Sequence, residues 1–123
     1  MRTVDREVLI EHVLDLVEAV PPGRATTYGL LAHAVGFGGP RWVGMVLARH
    51  GAAVPWWRVV RADGSLPPAL RREAIARYRT EGTPLRVGTD GRVVGVDLTA
   101  AAPWRAPCAA RPESADRTTR IRG

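Results

Sequence analysis

Few residues in this chain are equipped for covalent chemistry. Its one cysteine, Cys108, sits in Ala106-Pro107-Cys108-Ala109-Ala110 with no histidine or arginine beside it to lower its pKa. That cysteine and the three histidines, His12, His33 and His50, show no metal-ligand spacing, so no metal site is expected. Gly36-Phe37-Gly38-Gly39 is glycine-rich but joins two predicted helices with no strand before it, so it is not a phosphate-cradling loop. No cofactor is implied. The informative run is Val54-Pro55-Trp56-Trp57-Arg58-Val59-Val60. A neutral indole has no lone pair comparable with that of a thiolate and cannot take up an alkyl group. Its face does stack on nucleobases, which contributes ~1–3 kcal/mol per base. Two adjacent indoles on an extended segment point to opposite faces, so one can line a pocket while the other packs behind it.

Charge is distributed in a way that suits an anionic partner. The 123 residues carry a net charge of +6, and all 18 basic residues are Arg. The Arg-only usage by itself is accounted for by a GC-rich genome. The placement says more. Residues 1–20 carry Arg2 and Arg6 against five acids, whereas residues 41–72 carry six Arg against Asp63 alone. One acidic and one basic face are therefore expected, the footprint of a nucleic-acid binder. Length and a 46% apolar composition suit one folded domain. No apolar run approaches a membrane span. The start, with Arg2, Asp5, Arg6 and Glu7, does not read as a signal peptide, and a cytoplasmic location is expected.

These residues need elements to position them. Residues 5–20 read as a helix with Leu9, Val13, Leu16, Val17 and Val20 on one face, stopped by Pro21-Pro22-Gly23. Thr26 or Thr27 can cap a second helix, Tyr28 to Val35, ended by Gly36. Pro40 suits the first position of a third, Arg41 to Arg49, on which Gly44 and Ala48 permit close approach. Two short helices across a glycine turn describe a helix-turn-helix or an ordinary helical hairpin. Trp57 to Arg61 reads as a short β-like run with Asp63-Gly64 as a turn. Ala69 to Glu81 reads as a fourth helix with Leu70, Ala74 and Tyr78 on one stripe. Leu85–Val87 and Arg92–Val94 flank Thr89-Asp90-Gly91 as a wing. The fold expected is mainly α: a winged-helix-like domain over residues 1–98, with residues 99–123 a flexible basic Ala/Pro/Arg tail.

The run at Pro55–Val60 resembles the Pro-Cys-His-Arg-Val signature of the O6-alkylguanine-DNA alkyltransferases, with Trp56 at the cysteine and Trp57 at the histidine. Pro22-Gly23-Arg24-Ala25-Thr26-Thr27-Tyr28-Gly29 resembles that family's Pro-x-Gly-x-Val-x-Thr-Tyr-Gly element. Arg41-Trp42-Val43-Gly44 resembles its Arg-Ala-Val-Gly, and Glu81-Gly82 its Glu-Gly. These elements occur in the family's order at near-family spacing, and a Trp in the cysteine slot marks its alkyltransferase-like branch. The family's ribonuclease-H-like domain has no counterpart here.

The resemblance implies the fold of the family's C-terminal domain and a set of roles. Arg41 would be a finger that fills the stack left by a flipped nucleotide, or else a surface Arg on a basic helix. Tyr28 would crowd the target phosphate; by pattern alone it reads as a half-buried core tyrosine. Trp56 would wall the pocket that receives the base. Trp42, replacing a small residue, would add minor-groove contact or core packing. Arg58 would hold the pocket loop or contact DNA. Arg71 and Arg72 are candidates for contacting the lesion or a phosphate. Trp57 and Glu81, left from the enzymes' relay, would be structural, and His50 would stand in for an Asn that ties the recognition helix to the motif loop. Ser65-Leu66-Pro67-Pro68 would be a shortened lid, open to bulkier alkyl groups.

The function implied is that of a monomeric, non-enzymatic sensor. It would bind double-stranded DNA with O6-alkylguanine from the minor-groove side, flip the lesion and pass it to nucleotide excision repair proteins. The alternatives are a winged-helix regulator without lesion preference, an alkyltransferase working through Cys108, and an interaction module for an acidic protein.

Overall fold

The computed structural model describes residues 5–100 and 102–106. Helix α1 (Arg6–Ala19) starts where the Asp5 carboxylate accepts the Glu7 backbone N–H at 3.0 Å. It buries Val13, Leu16 and Val17 and ends before Pro21-Pro22, which cannot continue a helix. Thr26–Thr27 form a short strand, β1, and Thr27 also caps α2 (Tyr28–Val35), its Oγ1 accepting the Leu30 N–H at 3.1 Å. Gly36, with φ 79°, closes α2 in the left-handed conformation that favours glycine. Helix α3 (Pro40–His50) begins with Pro40, whose missing N–H costs nothing in the first turn. A 3₁₀ turn at Gly51–Ala53 and a second at Trp56–Arg58 lead into β2 (Val59–Val60). Helix α4 (Pro68–Glu81) ends at Gly82, and β3 (Leu85–Val87) and β4 (Val93–Val96) form the antiparallel wing.

Two cores meet at a parallel pair of two-residue strands. Thr26 lies opposite Val59 and Thr27 opposite Val60. Val59 is buried with Val13, Val17, Leu31, Val43 and Val46 from the three N-terminal helices. Its neighbour Val60 is buried with Ala74, Tyr78 and Val96 from α4 and the wing. Adjacent residues on a strand face opposite ways, so β2 is the seam that couples the helix-turn-helix half to the α4 half. The wing is fastened to that seam. Val96 N–H donates to Gly64 O at 2.8 Å, and Arg86 Nη2 donates to Asp63 O at 2.9 Å.

The expected fold, a mainly helical winged-helix-like domain, is the one observed. Four details differ. The β-like run expected over Trp57–Arg61 is a strand only at Val59–Val60, because Trp56–Arg58 is wound as a 3₁₀ turn. The pairing of Thr26–Thr27 with it was not foreseen, since the sequence offers those residues only as caps. The wing's second strand is Val93–Val96 rather than Arg92–Val94. Leu70 leaves the buried stripe of α4 and is 40% exposed. The packed body also runs past Leu98: Trp104 N–H donates to Ala25 O at 2.7 Å, Arg24 Nη2 donates to Ala102 O at 3.0 Å, and Ala106 packs against the first core. The rest of the expected tail, residues 107–123 with Cys108, lies outside the described residues.

Candidate nucleic-acid interface

The 3₁₀ turn at Trp56–Arg58 sorts the three motif side chains. Trp56 N–H donates to Val54 O at 2.7 Å and Arg58 N–H to Pro55 O at 3.0 Å, which sets the two indoles nearly perpendicular, 86° apart with centroids 5.6 Å from each other. The divergence expected from strand alternation is present, but the turn produces it. Trp56 lines a cleft of about 360 Å³, in the lower part of the range for small-molecule sites. Gly44 and Ala48 on α3 and Gly51 beyond it are small, while Tyr28, Leu47, Trp56, Leu70 and Glu73 contribute the cleft's large side chains.

Trp57 and Arg58 turn the other way, onto Glu81. Arg58 donates from Nε to Oε1 at 3.1 Å and from Nη2 to Oε2 at 2.5 Å, and its Nη1 donates to Val20 O at 2.9 Å. Trp57 Nε1–H donates to Glu81 Oε2 at 3.0 Å, and Gly23 N–H reaches Oε1 at 3.4 Å. Side-chain exposures of 14% for Arg58 and 12% for Glu81 make this an inward-facing bidentate pair. Burial works to raise the Glu81 pKa, but the hydrogen bonds from Arg58, Trp57 and Gly23 and the Arg58 charge outweigh it, so the carboxyl is held below its ordinary value. Arg58 is thereby corrected from a DNA contact to the holder of the motif turn, joining the ends of α1 and α4. The Arg77 guanidinium lies 4.5 Å from the Trp57 ring centroid.

Arg41 occupies the second position of α3, exposed, with no hydrogen bond or ion pair to another described residue. Tyr28 opens α2, half-buried at the cleft. Burial pushes its phenol upward, only partly opposed by the Arg61 charge, so its O–H remains a donor at neutral pH. Trp42 is not in the cleft. It meets Phe37 edge-on at 5.1 Å, packs against the first core and covers Gly38, whose φ of 65° and lack of a Cβ the contact requires, the core packing that was one of its two expected roles. His50 is exposed at the end of α3 and forms no hydrogen bond with the described residues; the tie expected of it is absent there. Arg71 is drawn back to the lid, donating to Leu66 O at 3.1 Å, and Arg72 is exposed; neither lines the cleft.

Leu70 and Glu73 line the cleft from α4, and sequence reasoning placed neither of them there. Their i, i+3 spacing on the fourth helix was the available signal. Among the described residues, no cluster of His, Cys, Asp and Glu could hold a metal ion, and no helix is long and apolar enough to cross a membrane.

Comparison with known proteins gives this helix-turn-helix with its cleft a class. Residues 9–81, more than half of the chain, match the DNA-binding domain of 6-O-methylguanine DNA methyltransferase. The chain belongs to this family and, within it, to the alkyltransferase-like branch. It is 26% identical over 85 residues to a DNA base-flipping protein of Vibrio parahaemolyticus serotype O3:K6 (strain AQ3810), covering 67% of this chain and 85% of that protein. It is 39% identical over 72 residues to the DNA base-flipping protein of Escherichia coli (strain K12), covering 54% of this chain and 56% of the relative, so it spans little more than half the length of that one. Its fold resembles that of S. pombe Atl1 in a crystal structure with damaged DNA containing O6-carboxymethylguanine, with a TM-score of 0.69 and 26% identity over 86% of this chain and all of that one. A second S. pombe structure, of ATL in complex with DNA, matches with a TM-score of 0.67 at 25% identity, with the same coverage.

Proposed function

We propose that this protein binds double-stranded DNA carrying O6-alkylguanine from the minor-groove side, turns the modified nucleotide into the cleft against Trp56, and leaves the alkyl group in place. The observation that carries this reading is that Trp56, which the sequence resemblance sets at the family's reactive position, lines an open cleft beside Tyr28 and α3 and brings an indole rather than a thiol to it. Stacking on Trp56 contributes ~1–3 kcal/mol. That is comparable to the few kcal/mol needed to unstack a base, a cost lowered when its pairing is already weakened by the adduct. Arg41, exposed at the start of α3, has the planar, always-charged guanidinium suited to filling the vacated stack. The Tyr28 hydroxyl donates to the target phosphate. The base-flipping relatives and the complexes of S. pombe Atl1 with damaged DNA and of ATL with DNA support the reading.

With no removal step, the bound lesion needs a successor, and nucleotide excision repair proteins are the proposed recipients. The protein acts as a monomer in the cytoplasm, at the nucleoid when bound. The test of the missing chemistry is incubation with O6-methylguanine DNA. The lesion should persist and the protein's intact mass should stay unchanged. A gain of one methylene on any residue, Cys108 included, refutes the non-enzymatic reading.

A further inference from the structure

The cleft has an electrostatic character that its aromatic walls do not explain. Of the residues lining it, Glu73 alone is charged at neutral pH, and none is a base. The nearest cation is Arg77, whose Nη2 lies 3.7 Å from Glu73 Oε2 one helical turn on, but side-chain exposures of 50% and 63% make this a weak surface pair. Arg77 is also engaged with the face of Trp57, behind the cleft wall, at 4.5 Å. The Glu73 carboxylate thus brings the one formal charge among the residues lining the cleft, only weakly offset by Arg77. Beside it, Leu70 offers 40% of its surface to solvent, a large apolar exposure for a residue in a concave site.

We infer that Glu73 and Leu70 make this cleft selective among O6-alkyl adducts by charge, accepting neutral alkyl groups and disfavouring anionic ones. The inference rests on the lesion-binding function proposed above and adds the substrate class. An alkyl chain on the flipped base meets Leu70 and Trp56, both apolar, and gains from their burial. A carboxymethyl group, ionised at neutral pH, meets the Glu73 carboxylate instead. Two like charges about 8 Å apart at a solvent-exposed carboxylate, at an effective dielectric of about 80, weaken binding about twofold. S. pombe Atl1 has been crystallised with damaged DNA containing O6-carboxymethylguanine, so the inference separates the adduct preference of this chain from that protein's ligand.

The experiment titrates the full chain with four duplexes identical except at one guanine: unmodified, O6-methyl, O6-(2-hydroxyethyl) and O6-carboxymethyl. The hydroxyethyl and carboxymethyl groups are close in size and differ in charge, and all four duplexes share the same phosphate contacts. The hydroxyethyl duplex should bind about twofold more tightly than the carboxymethyl duplex, with the ratio shrinking as salt rises. Glu73→Gln, at an exposed position, should bring the ratio close to one, and Glu73→Lys should invert it. Equal affinities for the two adducts in the unaltered protein, or a gap that survives Glu73→Gln, overturns the inference while leaving lesion binding intact. If all three adducts bind no more tightly than unmodified guanine, lesion binding itself fails and the inference falls with it.

Discussion

Glu81, at the end of α4, receives donors from two other parts of the chain, the turn after α1 through Gly23 and the motif turn through Trp57 and Arg58. In the alkyltransferases that this chain resembles, a histidine links that carboxylate to a proton relay; here the carboxylate receives the Trp57 indole N–H and the Arg58 guanidinium. The carboxylate has become a fastener. Its pKa is lower folded than unfolded, so its stabilisation is complete above the ordinary glutamate value of about 4.3 and is lost as pH falls through the depressed folded value. Glu81→Gln should therefore lower stability at pH 7 by about 2 kcal/mol, and the deficit should shrink toward pH 3, read by thermal melts across that range. Asp63 and Asp97, also lowered through hydrogen bonds from Ser65 and Thr99, keep a residual acid slope in the variant.

Arg41 calls for a different test, because its proposed work needs shape as well as charge. Arg41→Ala should weaken lesion binding and reduce the fluorescence of a 2-aminopurine flipping reporter. Arg41→Lys keeps the charge and loses the planar fork, so it should recover affinity for undamaged DNA but little of the lesion preference. Rescue of both by Lys contradicts the finger role and leaves Arg41 as a phosphate contact, whose loss lowers the salt slope by about one.

Among the elements, the wing and the motif loop act as one unit through a backbone contact. Gly64 has φ 87°, and a Cβ there would collide with the carbonyl oxygen of Val96 on β4. Gly64→Ala should cost about 2–4 kcal/mol, from left-handed strain plus displacement of the wing. Gly44 on α3 is the counterpart: a Cβ meets nothing within 4 Å, so Gly44→Ala should leave stability equal or raise it by about 0.5–1 kcal/mol. Urea denaturation distinguishes the two. The boundaries of α1, α2, α3 and α4 were legible in the sequence because Pro21, Thr27, Gly36, Pro40 and Gly82 act locally, each by its own backbone chemistry. The β1–β2 pair was not, since two-residue strands carry no periodicity and their pairing spans the chain from Thr26 to Val59. The same divide runs through the site. Tyr28 and Trp56 could be placed in it by motif, whereas Leu70 and Glu73 reach it through the packing of α4 against the motif turn, with Arg71 drawn back to Leu66. That is a property of three-dimensional closure.

For the molecule as a whole, charge and shape divide the work of binding. Residues 1–20 carry five acids and two Arg, whereas residues 41–72, which include α3 and the motif, carry six Arg and one acid. Such asymmetry orients the basic side toward a polyanion and supplies salt-dependent affinity that is blind to lesions. Lesion preference must come from the cleft, and it should survive when the common electrostatic part is weakened. A winged-helix protein without lesion preference would share the first property and lack the second. The central claim is thus tested by one paired titration: matched duplexes with guanine or O6-methylguanine at a single site, each at two salt concentrations. The account predicts that both affinities fall with salt while the O6-methylguanine duplex stays the tighter ligand at both. Equal affinities for the two duplexes at both salt concentrations would contradict it.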